Sequence, residues 1–89
     1  MDNNTILHNY QDWLKVQKMP AGKKKTLSAA VELFSRQGYN GTSTAQIAEK
    51  ASISQATIFK YFKTKEELLS EIIKPLIPEL KKEFLPKLK

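Results

Sequence analysis

Residues 42–69 read TSTAQIAEKASISQATIFKYFKTKEELL, and three helix starts are written into them. Ser43 followed three positions later by Gln46 is a capping box, which predicts a short helix over Thr44–Ala51. Ser54 is placed to cap a second helix over Gln55–Phe62. Thr64 with Glu67 forms another box and opens a third. Ile47, Ala48 and Ala51 mark the buried face of the first helix, and Ile58 and Phe62, four apart, anchor the second. Ser52-Ile53-Ser54 leaves room only for a turn, with Ile53 pointing inward as its plug. The second helix then displays Gln55, Thr57, Lys60 and Tyr61 instead of apolar side chains.

Outside this stretch the helical period continues in both directions. Leu27, Ala30, Val31 and Phe34 give the stripe of a core-facing helix over Lys23–Gln37. Gly38 is its C-terminal cap, and Asn40-Gly41 reads as a tight turn. Upstream, Ile6, Leu7, Tyr10, Trp13 and Leu14 share a face of a helix over about Thr5–Lys18, with Asn4 as its cap. Met19-Pro20-Ala21-Gly22 breaks the chain before the next helix. Downstream, Leu68, Leu69, Ile72 and Ile73 line the helix that Thr64 starts, and Pro75 and Pro78 end or kink it near Lys74. Leu80, Phe84, Leu85 and Leu88 suggest a last short helical piece.

No strand-like alternation of useful length occurs, so the expected fold is all-α. It is a small helical bundle containing a helix-turn-helix in a homeodomain-like three-helix arrangement. An extra N-terminal helix and a proline-interrupted C-terminal helix complete it. The expected organisation is an N-terminal extension over residues 1–20, the helix-turn-helix domain over 21–74, and the start of a linker over 75–89.

A chain of 89 residues holds one small core and no second one. It contains no cysteine, so no disulfide or thiolate site stabilises it. There is no apolar run of the roughly 20 residues needed to span a bilayer, and Met1-Asp2-Asn3-Asn4 does not open a signal peptide. These features predict a cytoplasmic protein with no membrane partner. The net charge of +6 is unevenly placed along the chain. Residues 1–20 and 66–89 are each balanced, the latter with five lysines against five glutamates. Lys23, Lys24, Lys25 and Arg36 against Glu32, then Lys50, Lys60, Lys63 and Lys65 against Glu49, carry the whole excess. That pattern suits a polyanionic partner. Lys23, Lys24 and Lys25 open a helix whose dipole disfavours them by a few tenths of a kcal/mol each; a phosphate partner or solvent screening would account for them.

In a helix-turn-helix the first helix braces and the second enters the major groove, which is wide enough for one helix. Close crossing needs a small residue on the first helix, and Ala48 supplies it. Gln55 suits bidentate bonding to adenine, Thr57 offers a hydroxyl and a methyl, and Lys60 reaches guanine or phosphate. Spacing alone favours the helix-turn-helix over a generic small three-helix bundle, which could also look like this. An enzyme is excluded on other grounds. His8 is alone, no paired carboxylates sit where a cleft would form, and Ala21-Gly22-Lys23 lacks the earlier glycine and the strand of a phosphate-binding loop. No metal or cofactor is expected.

Gly38-Tyr39, Thr42-Ser43, Ile47-Ala48 with Ala51, Ser52-Ile53-Ser54 and Ile58-Phe59-Lys60-Tyr61-Phe62-Lys63-Thr64-Lys65-Glu66-Glu67-Leu68 occur in order. Together with Ala29-Ala30 and Leu33-Phe34 they closely resemble the N-terminal domain of TetR-type transcriptional regulators, over about Lys23–Ile73. The resemblance implies sequence-specific binding of double-stranded DNA as part of a regulator, most simply a repressor. It assigns phosphate contacts to Thr44, Tyr61 and Lys65, and base contacts to Gln55, Ala56, Thr57 and Lys60. Tyr61 has a competing reading as a half-buried core aromatic, and Thr44 as an ordinary capping residue. Three positions depart from the family pattern. Phe59 replaces a usual tyrosine, losing a phosphate hydrogen bond and leaving a side chain that only packs. Ser52 replaces a common glycine and must accept its backbone conformation. Ala56 replaces glycine or proline and offers a thymine-methyl contact. Family members also carry a C-terminal regulatory and dimerising domain. Its absence from these residues implies a monomer that engages one half-site with steep salt dependence. The Tyr10/Trp13/Leu14 face is expected to pack on the domain and enlarge its small core; the alternative function is protein–protein interaction through that face.

Overall fold

The computed structural model describes residues 3–77. Five α-helices follow one another: α1 (Asn3–Lys15), α2 (Ala21–Gln37), α3 (Thr44–Ala51), α4 (Gln55–Tyr61) and α5 (Lys65–Ile73). A single 3-10 turn, Lys74–Leu76, closes the described chain, and no strand occurs among the described residues.

The capping chemistry sets the boundaries of the central helices. Ser43 Oγ accepts from the Gln46 amide at 3.1 Å, and Gln46 Oε1 accepts from the Ser43 amide at 3.0 Å. Ser54 Oγ accepts from the Thr57 amide at 3.1 Å. Thr64 Oγ1 accepts from the Glu67 amide at 3.1 Å, while the Glu67 carboxylate reaches one residue further back than a standard box, to the Lys63 amide at 2.9 Å. Each such cap is worth about 1 kcal/mol.

The α3–α4 turn is closed by a left-handed residue. Ser52 has φ 58° and ψ 43°. Its amide donates to Glu49 O, and the Ile53 amide donates to Ala48 O. This paired return to the last helical carbonyls terminates α3 and turns Ile53 into the domain. At the end of α2, Gly38 takes φ 81°. The Tyr39–Thr42 turn then follows, with the Thr42 amide donating to Tyr39 O. Gly41 is required there, because a Cβ would collide with the Gln37 carbonyl oxygen.

Tyr10 and Leu14 of α1, Leu27, Ala29 and Ala30 of α2, Ile47 and Ala48 of α3, Ile58 of α4, Phe62, and Leu68 and Ile72 of α5 form one core. Ile53, Tyr61 and Phe34 pack on its edge. Ala48 lets α3 cross closely, as its small side chain predicts.

Several local expectations are corrected. α1 begins at Asn3 and stops at Lys15, so Asn4 lies within the helix and not at its cap, and the end comes three residues before Lys18. α2 begins at Ala21, directly after Pro20, whose carbonyl accepts from the Lys24 amide. Phe62 is extended (φ −137°) and lies just past α4, which aims its ring into the core. α5 ends at Ile73 before the 3-10 turn that contains Pro75. Pro78 and the Leu80–Leu88 segment lie outside the described residues. The docking role for the Tyr10/Trp13/Leu14 face also fails, because Tyr10 is 1% exposed and Leu14 is buried in the domain's own core. Trp13 alone of the three remains partly exposed, stacked at a tilt on Tyr10 with 5.6 Å between ring centroids.

Candidate nucleic-acid interface

α4 rises on the surface with one buried anchor, Ile58, and Phe62 immediately after it. Gln55, Ala56, Phe59 and Lys60 are exposed, while Thr57 and Tyr61 are half-buried. At about 100° per residue, Gln55, Phe59, Ala56 and Lys60 succeed one another around an arc of roughly 140°. Thr57 and Tyr61 occupy the inward-turning remainder.

The cause of that division is α2. A Cβ on Gly22 would lie 3.1 Å from Thr57 Cγ2 and 3.4 Å from Tyr61 Cε2. The first turn of α2 therefore abuts α4 through a bare glycine, and the Thr57 methyl is spent on that contact. The Thr57 hydroxyl lies 3.0 Å from Ser54 Oγ. Tyr61 likewise packs on the core edge while keeping part of its ring in solvent. Nothing in the chain's periodicity marks Gly22 as the meeting point, since the contact joins positions 35 and 39 residues apart.

Gln55 is held by α3. Thr44 Oγ1 donates to Gln55 Oε1 at 3.1 Å, which fixes the amide at the start of α4. Gln55 is exposed, and its carbonyl oxygen keeps a second lone pair. Lys60 Nζ sits 5.6 Å from the Tyr61 ring centroid.

The cations do not gather on one surface. Lys65 Nζ donates to Tyr39 O at 2.8 Å and to Thr42 O at 3.0 Å, and lies 4.2 Å from the Tyr39 ring centroid. It ties the start of α5 to the α2–α3 turn, leaving one ammonium hydrogen for another acceptor. Of the three lysines opening α2, Lys23 lies near α4, 5.9 Å from the Phe62 ring centroid. Lys24 donates to Lys15 O at 2.9 Å, placing a cation at the negative end of α1. That contact offsets the unfavourable dipole term at α2's own start. Lys25 borders an open groove of about 560 Å3 between α1, α2 and the end of α3, together with Lys15, Lys24 and Lys50. Lys50 is paired there with Glu32 at 2.9 Å, and Arg36 with the same carboxylate at 3.3 Å. The sequence-level charge excess is thus divided between the α4 side and this groove.

Phe59 is the residue the sequence misplaces. It is 45% exposed in the middle of the α4 arc, so it does not merely pack. Its angular position between Gln55 and Ala56 was available from helical geometry. Among the described residues no helix is long and apolar enough to cross a membrane, and no cluster of side chains could hold a metal ion.

Residues 27–72 match the family model described as "Bacterial regulatory proteins, tetR family". The chain is 46% identical over 50 residues to a Bacillus subtilis protein named as an uncharacterized HTH-type transcriptional regulator, YvkB, covering 56% of this chain and 26% of the relative. It is 40% identical over 57 residues to the HTH-type transcriptional regulator RutR of Escherichia coli K12, covering 64% of this chain and 27% of RutR. With the HTH-type transcriptional regulator QacR of Staphylococcus aureus it shares 43% identity over 51 residues, or 57% of this chain and 27% of QacR. The chain thus spans roughly a quarter of the length of these relatives. No solved structure gives a significant match.

Proposed function

The chain belongs to the tetR family of bacterial regulatory proteins, and from that membership we propose that α3 and α4 bind double-stranded DNA sequence-specifically, as the reading head of a transcriptional repressor. The observation that carries this is the exposed arc of α4, with Gln55 and Lys60 at its two edges, braced from behind by Ile58 and Phe62 and from the side by Thr44 and Gly22. A helix of this kind fits the roughly 12 Å major groove.

Within that reading Gln55, Ala56 and Lys60 meet base edges, with Thr57 contributing its hydroxyl from the rim of the arc. Thr44 orients Gln55 and stands at the start of α3, where helix amides favour phosphate. Tyr61, Lys65 and Lys23 contact the flanking backbone. Lys24 and Lys25, turned toward α1, add to the general positive field that draws a polyanion in. The activity is binding, not catalysis, and its setting is the cytoplasm. Residues 21–74 form the reading domain, 1–20 an extension whose helix enlarges its core, and 75–89 the beginning of a linker. The 89-residue polypeptide presents a single recognition helix and occupies one half-site as a monomer.

NMR titration of the 89-residue chain with duplex DNA at low salt tests this. Amides over Gln55–Lys65 and at Thr44 shift, and affinity falls steeply as salt rises. Unshifted amides over Gln55–Lys65 would overturn the DNA reading.

A further inference from the structure

We propose that Phe59 is a specificity-determining residue that reads the 5-methyl group of thymine, so that the preferred half-site carries a thymine at the position facing the centre of α4. This rests on the DNA-binding reading above and adds a base preference to it.

Three observations support the assignment. Phe59 is 45% exposed, although most apolar side chains of this small domain are buried or packed on the core. It lies about 40° from Gln55 and about 60° from Ala56 around the helix, inside an arc whose other members are Gln55, Ala56 and Lys60. Any pose that sets Gln55 and Ala56 against base edges therefore sets Phe59 against them too. Finally, a phenyl ring has no polar atom with which to bond phosphate or a base heteroatom. The only apolar group presented in the major groove is the thymine methyl. Ala56, one turn back on the same face, is too short to fill that space alone. Phe59 and Ala56, three residues apart, are neighbours on the exposed side of the helix.

The methyl contact also gives the exposed ring a thermodynamic use. Burying one methyl group against it is worth about four-fold in affinity. Thr57 cannot substitute, because its own methyl already faces Gly22.

The test begins with duplexes selected by the 89-residue chain from a randomised library at low salt. Each thymine of the best duplex is then replaced in turn by deoxyuridine, which deletes only the methyl. Wild type is expected to lose about three- to five-fold at one position per half-site and nothing elsewhere. Phe59→Ala is expected to bind the thymine duplex more weakly and to show no further loss with uracil at that position. Its melting temperature should stay close to wild type, because the side chain is half in solvent. If wild type tolerates every uracil, or if Phe59→Ala keeps the same uracil penalty, the thymine reading is overturned while DNA binding stands. If no duplex is bound at low salt, the DNA reading fails first and takes this proposal with it.

Discussion

Lys65 offers the sharpest quantitative test, because the family resemblance and the structure load the same ammonium differently. As a phosphate contact alone, its removal would weaken DNA binding and leave the fold untouched. In the structure it bridges two turn carbonyls, Tyr39 O at 2.8 Å and Thr42 O at 3.0 Å, with the Tyr39 ring at 4.2 Å. Lys65→Met keeps most of the stem and deletes the charge. A hydrogen bond from a charged donor contributes about 1.5–3 kcal/mol when well shielded. This site is half-buried, and water replaces part of both bonds, so the pair is worth about 2 kcal/mol. The cation–π contact adds about 0.5 kcal/mol. For a domain of this size the sum corresponds to a fall in Tm of roughly 10–20 °C. Thermal and urea unfolding followed by circular dichroism measure it, with an unchanged urea slope showing that the denatured state is unaltered. DNA binding measured well below the transition then isolates the remaining ammonium hydrogen. If it meets a phosphate, the slope of log affinity against log salt shrinks by about 0.9. A Lys65→Met protein melting within 2 °C of wild type would refute the carbonyl-clamp reasoning, whatever its DNA affinity.

Two stability predictions follow from local structure. Ser52→Gly relieves a left-handed serine; after allowing for the extra unfolded-state entropy of glycine, the gain is about 0.5–1 kcal/mol. Its Tm should rise by roughly 2–8 °C, Ser52→Val should melt below wild type, and the reverse order would sink the backbone argument. Tyr10 is buried with its hydroxyl lacking a partner among the described residues, and its pKa is pushed up to about 12, first by desolvation and then by Glu71. The folded state thus holds the phenolic proton more tightly than the unfolded chain, whose tyrosine titrates near 10. Its stabilising effect is complete below pH 10 and is lost as pH climbs from 10 to 12. Tyr10→Phe should raise the urea midpoint near neutrality by up to about 1 kcal/mol equivalent and flatten the fall between pH 10 and 12; an unaltered alkaline slope there would count against this assignment.

The features legible in residue order are those made by neighbours in the chain. Ser43, Ser54 and Thr64 cap amides no more than three residues away, so their helices start where the residue types predict. The family resemblance, with a glycine common at this position, implied that Ser52 takes a left-handed backbone, and it does so at φ 58°. The apolar periods likewise identify the core, since a face at 3.6-residue spacing has few alternatives to burial. The α1 boundaries were less legible: its ends shift by two or three residues from those the residue types predict.

Tertiary structure decided where long or ambiguous side chains spend their contacts. Lys65 finds its acceptors 23 and 26 residues away, at carbonyls that only the α2–α3 turn brings together. Lys23, Lys24 and Lys25 are adjacent in the chain yet diverge to Phe62, to the end of α1 and to a groove, because a helix turns each by about 100° and each lysine takes the nearest acceptor or surface. Thr57 and Phe59 exchange the parts their residue types suggest, since α2 meets α4 at Gly22 and leaves room there for a threonine methyl but not a phenyl ring. Residue order by itself therefore determined that a helix-turn-helix forms and where its helices begin. Which side chains α4 holds outward was decided by the helix packed behind it, because burial on so short a helix depends on the neighbour's shape as much as on its own period.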